Sequence, residues 1–328
     1  MLSRSAAIAV SCLATSMGVS PAILAQTADT YPSRPIRLMV GYAPGGPNDQ
    51  IARAVARKLA EPWNQSVVVD NRPGASGLVA GQSVARSNAD GYTLLLDGVT
   101  HSIVPALFEN LSFDPINDYT SVGQVGYAPT ILLINPAIQV KSVGELITLA
   151  KSRTGSLNFG SAGSGTSAHI AMELFNFEAG ISILHIPYKG SAPAMTALVA
   201  GQIQLAMTSL PGALPLVRSG KLRALAVAGG KREKDLPGVA TIAESGFPGF
   251  DVGTWWGVFG PPKLARALVD KLNAGINRTL QDVEVQNRFV AIGAEARGST
   301  PEQFDQLVHK DAARFASIIK KMNIKMEQ

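Results

Sequence analysis

The strongest constraint on the fold is a regular alternation of short apolar runs with amphipathic segments. The runs at 36–41, 67–69 and 92–96 are typical of buried strands, and the segments at 50–59 and 78–87 are predicted to be helices. Strand–helix–strand alternation favours parallel strand pairing with helices on both faces of the sheet. The chain is therefore expected to be an α/β protein.

A second series with the same rhythm begins near Ser121. Strands are predicted at 157–160, 182–186, 204–207 and 222–228, with helices at 142–152, 166–179 and 193–200. Two further helices are expected at 262–280 and from Thr300 to about Lys320. Ser142 and Thr300 each stand three residues before Glu or Gln, which is the pattern of a capping box.

Two apolar stretches are long enough to cross between two lobes, Gln124–Asn135 and Gly249–Gly260. Both contain Gly or Pro, at which a strand can flex. We therefore expect two α/β lobes joined by two crossover strands, with a ligand cleft between them that closes about the hinge. The expected limits are 26–125 plus 255–328 for lobe 1 and 126–254 for lobe 2.

The first 25 residues have the pattern of a signal peptide that directs export to the periplasm. Arg4 precedes a mostly small and apolar stretch that ends at Ala25, where cleavage is plausible. Polar residues and Pro21 make this stretch a poor membrane span. Cys12 is the only cysteine, so the mature chain would have no disulfide and no thiol chemistry.

Composition narrows the possible partners. The formal net charge is +5, with lysines and arginines scattered rather than gathered in a stripe, so no nucleic-acid partner is expected. A mild positive balance is compatible with small anionic ligands. No group of His, Asp and Glu has metal-ligand spacing, so neither a metal nor another cofactor is predicted.

Polar loops recur where predicted strands end. The loop from Tyr42 to Asp49 follows the first strand, with Asn48 or Asp49 able to cap the next helix. The loop from Gly160 to His169 is rich in hydroxyls and precedes a helix, which makes it a candidate anion site. Further polar segments are Tyr188–Pro193, Thr208–Ser209 and Thr100–Ser102. Their recurrence in both halves predicts a polar cleft between the lobes.

Two nucleotide-binding motifs are weaker interpretations of the second loop. Gly163 to Ala168 matches the dinucleotide fingerprint, but no acid follows the next predicted strand. A phosphate loop would need Lys where Thr166 stands. The main enzymatic alternative is an exported serine hydrolase that uses a serine near Ser164 on a small ester or amide. No G-x-S-x-G motif supports that alternative.

Several short motifs, in this order and spacing, resemble the substrate-binding proteins of tripartite tricarboxylate transporters, the Bug-type receptors. They are Pro32–Ile36, Tyr42–Gly46 with Asp49, Asn71–Ala75, Gly163–Thr166 with His169, Pro187–Gly190, Gly220–Ala226, Glu244–Gly246 and Trp256–Gly257. The resemblance covers nearly the whole mature chain. It implies a type II periplasmic-binding-protein fold, a carboxylate ligand held without turnover, and delivery to integral-membrane permease subunits. We expect a monomeric receptor.

The resemblance and the polar loops together predict the ligand-binding residues. In this family the loops at Tyr42–Asp49 and Ser161–His169 hold the ligand from opposite lobes. Many relatives carry an acid where this chain has Thr208, so a ligand amine is less expected here. The predicted binding residues are Tyr42, Ala43, Gly45, Gly46, Asp49, Thr100, Ser161, Ser164, Gly165, Thr166, Ser167, His169, Tyr188, Gly190 and Thr208.

Overall fold

The computed structural model describes residues 31–108 and 111–324, so the predicted signal peptide lies outside the described residues. The strands are β1 (Ile36–Val40), β2 (Val67–Asn71), β3 (Thr93–Gly98), β4 (Thr120–Ile134), β5 (Asn158–Ser161), β6 (Leu184–Pro187), β7 (Leu205–Ser209), β8 (Arg223–Val227), β9 (Gly253–Gly260) and β10 (Glu295–Ala296). The helices are α1 (Pro47–Trp63), α2 (Leu78–Ala85), α3 (Thr100–Leu107), α4 (Val143–Ser152), α5 (Ser167–Ala179), α6 (Ser191–Val199), α7 (Leu210–Arg218), α8 (Arg266–Gln281), α9 (Val283–Ile292) and α10 (Pro301–Met322).

The strands form a mixed sheet in the order β2-β1-β3-β9-β4-β7-β5-β6, with β8 and β10 also paired to β4. β1 pairs in parallel with β2 and β3, and β5 pairs in parallel with β6 and β7. The antiparallel strands β9 and β4 stand between these two parallel groups. The two series of strand–helix units therefore form two α/β lobes, as the sequence predicts.

Strand β4 runs through both lobes. Its first part, to Pro129, pairs with β9, and from Thr130 onward it pairs with β7 instead. Proline lacks the N–H that a continued ladder would use, and Pro129 stands where the partner changes. The polar loops that follow β1, β3, β5 and β7 are consequently brought to the same place between the lobes.

Aromatic side chains fill the core of each lobe. Phe159 and Phe175 are fully buried in the second lobe, while Phe259 and Phe304 are fully buried in the first. Helix α10 completes the first lobe by packing against α3, where the Ser102 hydroxyl donates to the Val308 carbonyl at 3.0 Å. No helix in this described part of the chain is both long and apolar enough to cross a membrane.

The N-cap residues of α4 and α10 agree with the sequence predictions, and that of α1 does not. Ser142 caps α4 by accepting from the Glu145 N–H, and Thr300 with Gln303 forms the predicted capping box of α10. The predicted cap of α1 by Asn48 or Asp49 is wrong, because Gly46 is the N-cap residue and Pro47 is the first helical residue.

Three helices were not predicted. The segment Thr100–Ser102, expected as a loop, is the first turn of α3. Helix α7 was missed because Pro211, Gly212 and Pro215 interrupt its apolar pattern. Helix α9 follows α8 directly, and Asp282 separates the two by capping α9.

Candidate functional site

A small polar cavity of about 50 Å³ lies between the lobes. A water molecule needs about 10–15 Å³ by the same measure, so the cavity has room for roughly four small groups. Its lining residues are Tyr42, Gly46, Pro47, Asn48, Gly98, Thr100, Thr130, Ala162, Thr166, Ser167, Ala168, Ser191, Thr208, Ser209, Thr254 and Trp256. None of these residues carries a formal charge, so any recognition of charge here must come from dipoles.

Five helices begin at this cavity. The lining includes the first residue of α1, α3, α5 and α6, and Ser209, the N-cap residue of α7. None of the five has a side-chain hydrogen bond at its N-cap. The first N–H groups of a helix lack intrahelical acceptors and carry a partial positive charge. Five such ends around one cavity make a strongly electropositive site without lysine or arginine.

Thr208 provides an unused polar group in the wall of the cavity. Its side chain is only 2% exposed, and its Oγ1 has no hydrogen-bond partner. Buried hydroxyls are nearly always hydrogen-bonded, because leaving one unsatisfied costs about 1–3 kcal/mol. Thr208 Oγ1 is therefore available to a bound molecule.

Direct hydrogen bonds join the two lobes around the cavity. The Ser167 N–H donates to Thr100 Oγ1 at 3.1 Å, and the Ala43 N–H donates to the Lys189 carbonyl at 3.3 Å. The Ser76 hydroxyl also donates to the carbonyl of Ser164. Each bond joins residues of opposite lobes, so the two lobes are in direct contact around the cavity.

The structure brings several of the predicted residues together at the cleft. Those lining the polar cavity are Tyr42, Gly46, Thr100, Thr166, Ser167 and Thr208. Ser164 and Tyr188 line a larger adjoining pocket instead. Ala43 and Gly190 contact one another across the cleft without lining the polar cavity. The remaining predicted residues line neither of these two spaces, and they are Gly45, Asp49, Ser161, Gly165 and His169.

Asp49 is turned into the protein rather than toward the cavity. Its Oδ2 accepts from the Gly45 N–H at 2.9 Å and from Arg53 Nε at 3.0 Å. Burial on its own would raise the pKa of Asp49, but the hydrogen bonds from Arg53 and Gly45 outweigh it and hold the pKa below its ordinary value. Asp49 is thus an ionised residue that shapes the loop carrying Tyr42 and Gly46.

Ser161 and His169 support the second loop from within. Ser161 is 1% exposed, and its Oγ lies 2.7 Å from His185 Nε2 and donates to the Gly163 carbonyl at 2.9 Å. His169 Nδ1 accepts from the Gly165 N–H at 3.0 Å. Both contacts fix the backbone that precedes α5.

Ten lining residues of the cavity were not predicted as site residues: Pro47, Asn48, Gly98, Thr130, Ala162, Ala168, Ser191, Ser209, Thr254 and Trp256. Ser191 and Ser209 stand at the end of polar loops that the sequence did mark, and Trp256 lies in a marked crossover. Thr130 carried no local signal, because it lies inside a long apolar strand. Within residues 31–108 and 111–324, no three His, Cys, Asp or Glu side chains are grouped as metal ligands would be.

Comparison with known proteins gives one consistent result. Residues 51–324 match the model of the tripartite tricarboxylate transporter family receptor. Protein BugT of Bordetella pertussis is 36% identical over 303 residues, which are 92% of this chain and 93% of BugT.

Solved structures agree with the sequence match. R. palustris Rpa4515 with adipate is 33% identical with a TM-score of 0.87, and the match covers 90% of this chain and 100% of that one. MatC from Rhodopseudomonas palustris with bound malate is 32% identical with a TM-score of 0.84, over 88% of this chain and 100% of the other. The fold is thus that of the periplasmic binding proteins, with two lobes and a cleft between them. This chain belongs to the tripartite tricarboxylate transporter receptor family.

Proposed function

We propose that this chain is a periplasmic receptor that captures a small carboxylate by lobe closure and releases it chemically unchanged to the permease subunits of a tripartite transporter. The observation that carries the proposal is the convergence of five helix N-termini, none of them capped by the side chain of its own N-cap residue, on one uncharged polar cavity. The carboxylate would accept from the free N–H groups, such as that of Ala168, and from Thr208 Oγ1. Charge-assisted bonds of this kind contribute about 1.5–3 kcal/mol each.

The same proposal assigns the remaining parts of the chain. Residues 1–25 would be the cleaved signal peptide, 26–125 with 255–328 lobe 1, and 126–254 lobe 2. The predicted residues that avoid the cavity, such as Asp49 and His169, would act by holding the two loops in position. Adipate and malate in the related structures support a carboxylate as the ligand class.

The substitution Thr208→Val tests the site. Valine has nearly the same shape but lacks the unpartnered hydroxyl, so we expect an unchanged or slightly higher melting temperature. Loss of one charge-assisted hydrogen bond to the ligand should weaken binding about 12- to 160-fold, which corresponds to about 1.5–3 kcal/mol. Calorimetric titration with a carboxylate found by thermal-shift screening measures this.

The matched control for this experiment is Thr148→Val. Thr148 is exposed on α4, and its hydroxyl donates to its own helix at the Gly144 carbonyl. This change should leave affinity as it is in the wild type. Equal affinities of all three proteins would contradict the proposed site.

The alternative is an exported serine hydrolase, and Ser161 with His185 is the contact that such an enzyme would use. Ser161 Oγ is shielded from solvent and is already engaged with Gly163, which disfavours attack on a substrate. Incubation with small esters, amides and carboxylates decides between the two. Recovery of chemically changed ligand at catalytic rates, abolished in Ser161→Ala, would overturn the receptor proposal.

A further inference from the structure

A second and larger pocket, of about 530 Å³, adjoins the polar cavity. Tyr42 and Ala162 line both spaces and form the boundary between them. Both lobes contribute to the wall, with Val79 and Phe113 on one side and Tyr188 on the other. The two spaces are thus neighbours, and a molecule that occupied both would touch both lobes.

The lining of the larger pocket is chemically different from that of the polar cavity. Seven of its 17 lining residues have large apolar or aromatic side chains, and they are Tyr42, Leu78, Val79, Phe108, Leu111, Phe113 and Tyr188. The polar lining residues are Ser76, Gln82, Ser112, Ser164 and Lys189. Most of these are engaged within the protein, because Gln82 and Ser112 hydrogen-bond to one another at 2.5 Å and the Ser76 hydroxyl donates to the Ser164 carbonyl. Lys189 is the one charged residue in the described lining, and it is exposed. A polar ligand body would find few partners here.

Val79 shows that this apolar surface is uncovered. The side chain of Val79 is 46% exposed on α2, although it stands beside Phe108 and Phe113 in the same wall. Covering such a surface with an apolar group is favourable by about fourfold in affinity for each buried methylene. The polar cavity, in contrast, has room for little more than one carboxylate.

We propose that the ligand is an amphipathic carboxylate, with its carboxylate in the polar cavity and an apolar body, either an aliphatic chain or an aromatic ring, in the adjoining pocket. This inference rests on the proposed function and adds the class of substrate. It predicts that affinity is set mainly by the apolar body, because every carboxylate would make the same contacts at the helix N-termini. Acids whose bodies carry hydroxyls would lose water without finding partners.

Calorimetric titration of the full chain with the linear acids from butanoate to octanoate, with cinnamate, and with malate tests the proposal. We expect affinity to rise by about three- to fourfold per methylene until the pocket is filled. Cinnamate should bind more tightly than butanoate, and malate should bind more weakly than pentanoate. Affinity independent of chain length, or malate as the tightest ligand of the set, would overturn the inference.

Two variants locate the effect. Val79→Asn puts a polar group into the pocket wall and should weaken octanoate binding at least tenfold while changing butanoate binding less than threefold. Val290→Asn is the matched control, because Val290 is 62% exposed on α9 and lines neither space. Phe113→Ala gives a second, independent loss of apolar surface. If carboxylates bind but Val79→Asn and Phe113→Ala leave octanoate unaffected, this inference is wrong and the proposed function stands; if no carboxylate binds, both fail.

Discussion

His169 and His185 form a stacked pair next to the loop that carries Ser164 and Thr166. Their ring centroids are 4.0 Å apart, and Phe159 stacks on His185 at 4.8 Å. Two causes lower the pKa of His169 to about 3: burial is the larger, and the proximity of His185 is the smaller. Burial lowers the pKa of His185 to about 4. Both rings are thus neutral in the folded protein, as the acceptor role of His169 Nδ1 requires.

This pair predicts a loss of stability in mild acid. In the unfolded chain both histidines titrate near pH 6.5, so between about pH 6.5 and 4 the unfolded state binds protons that the folded state does not. The free energy of unfolding should therefore fall as the pH is lowered, by up to about 1.4 kcal/mol per pH unit for each histidine. The loss should level off below about pH 3. Urea denaturation at pH 7, 6, 5 and 4.5 measures the slope.

Two substitutions separate this effect from the general influence of acid. His185→Gln removes one histidine of the stacked pair and should reduce the slope by about one proton. His309→Gln is the control, because the side chain of His309 is about half exposed on α10. The assignment fails if His185→Gln and the wild type show the same dependence on pH.

At the scale of secondary-structure elements, the loop between β6 and α6 depends on one glycine. Gly190 has φ = +140°, which is strained for any residue with a side chain, and a Cβ placed on it would lie 3.1 Å from Ala43 N and 3.2 Å from Ala43 Cβ. Ala43 belongs to the opposite lobe and donates to the Lys189 carbonyl. Gly190 therefore permits the close approach of two loops on which closure depends.

We expect Gly190→Ala to obstruct closure. The added methyl group would press on Ala43, so ligand affinity should fall at least tenfold although both lobes remain folded. Gly180→Ala is the matched control, since Gly180 also has a left-handed φ of +60° but a Cβ there meets nothing within 4 Å. Both variants should lose stability by thermal denaturation, Gly190→Ala more than Gly180→Ala, because φ = +140° with ψ = 167° is a conformation that essentially only glycine adopts. Only Gly190→Ala should lose affinity by calorimetry, and equal affinities would contradict the role of this contact.

How much of these elements the sequence predicts depends on the kind of signal that each one carries. The apolar run at 36–41 identifies β1 correctly, because a strand that is buried on both faces of the sheet needs consecutive apolar residues. The start of α3 was missed, since Pro105 and the polar Thr100–Ser102 turn hide its helical character.

Loop residues pose a different problem, because periodicity does not tell which way a side chain points. Asp49 and His169 were predicted at the ligand, yet hydrogen bonds from Gly45 and Gly165 turn them inward. Thr130 was missed for the opposite reason: its strand is apolar, and only the pairing of β4 with β7 brings it to the cavity.

At the scale of the whole molecule, the two lobes meet through apolar side chains as well as hydrogen bonds, because Ile170 of α5 lies in one buried cluster with Phe315 of α10 and Leu210 of α7 lies in another with Phe289 of α9. Around the cavity, three hydrogen bonds connect the lobes, including that from Ser76 to Ser164. Ser76 and Ala75 have left-handed φ values of 55° and 44°, which cost free energy for residues other than glycine. A ligand that touches both lobes would favour the state in which both sets of its contacts are made.

We expect ligand to reduce the radius of gyration and to change the emission of Trp256. Trp256 lines the polar cavity, and its Nε1 donates to Asn48 Oδ1 at 2.9 Å. The indole of Trp255 instead donates to Asp311 on α10, away from the cleft. Small-angle scattering and tryptophan fluorescence, each at saturating ligand, measure the two changes.

Single substitutions assign the fluorescence change. Trp256→Phe should abolish most of the response, whereas Trp255→Phe should retain it. If a saturating ligand alters neither the scattering curve nor the emission of the wild type, the site is rigid and preformed, and closure is not part of binding.

The position of β9 in the sheet has a consequence for how the chain acquires its fold. β9 lies between β3 and β4, so Leu95 and Leu96 have no partner on that side until the distant segment around Phe259 joins the sheet. The second lobe, in contrast, uses strands from one continuous stretch, β4 to β8. We therefore expect the second lobe to fold first, while an exposed apolar strand edge of the first lobe awaits its distant partner and remains prone to aggregation. Chaperones that bind unfolded chains would be needed most before β9 pairs with β3.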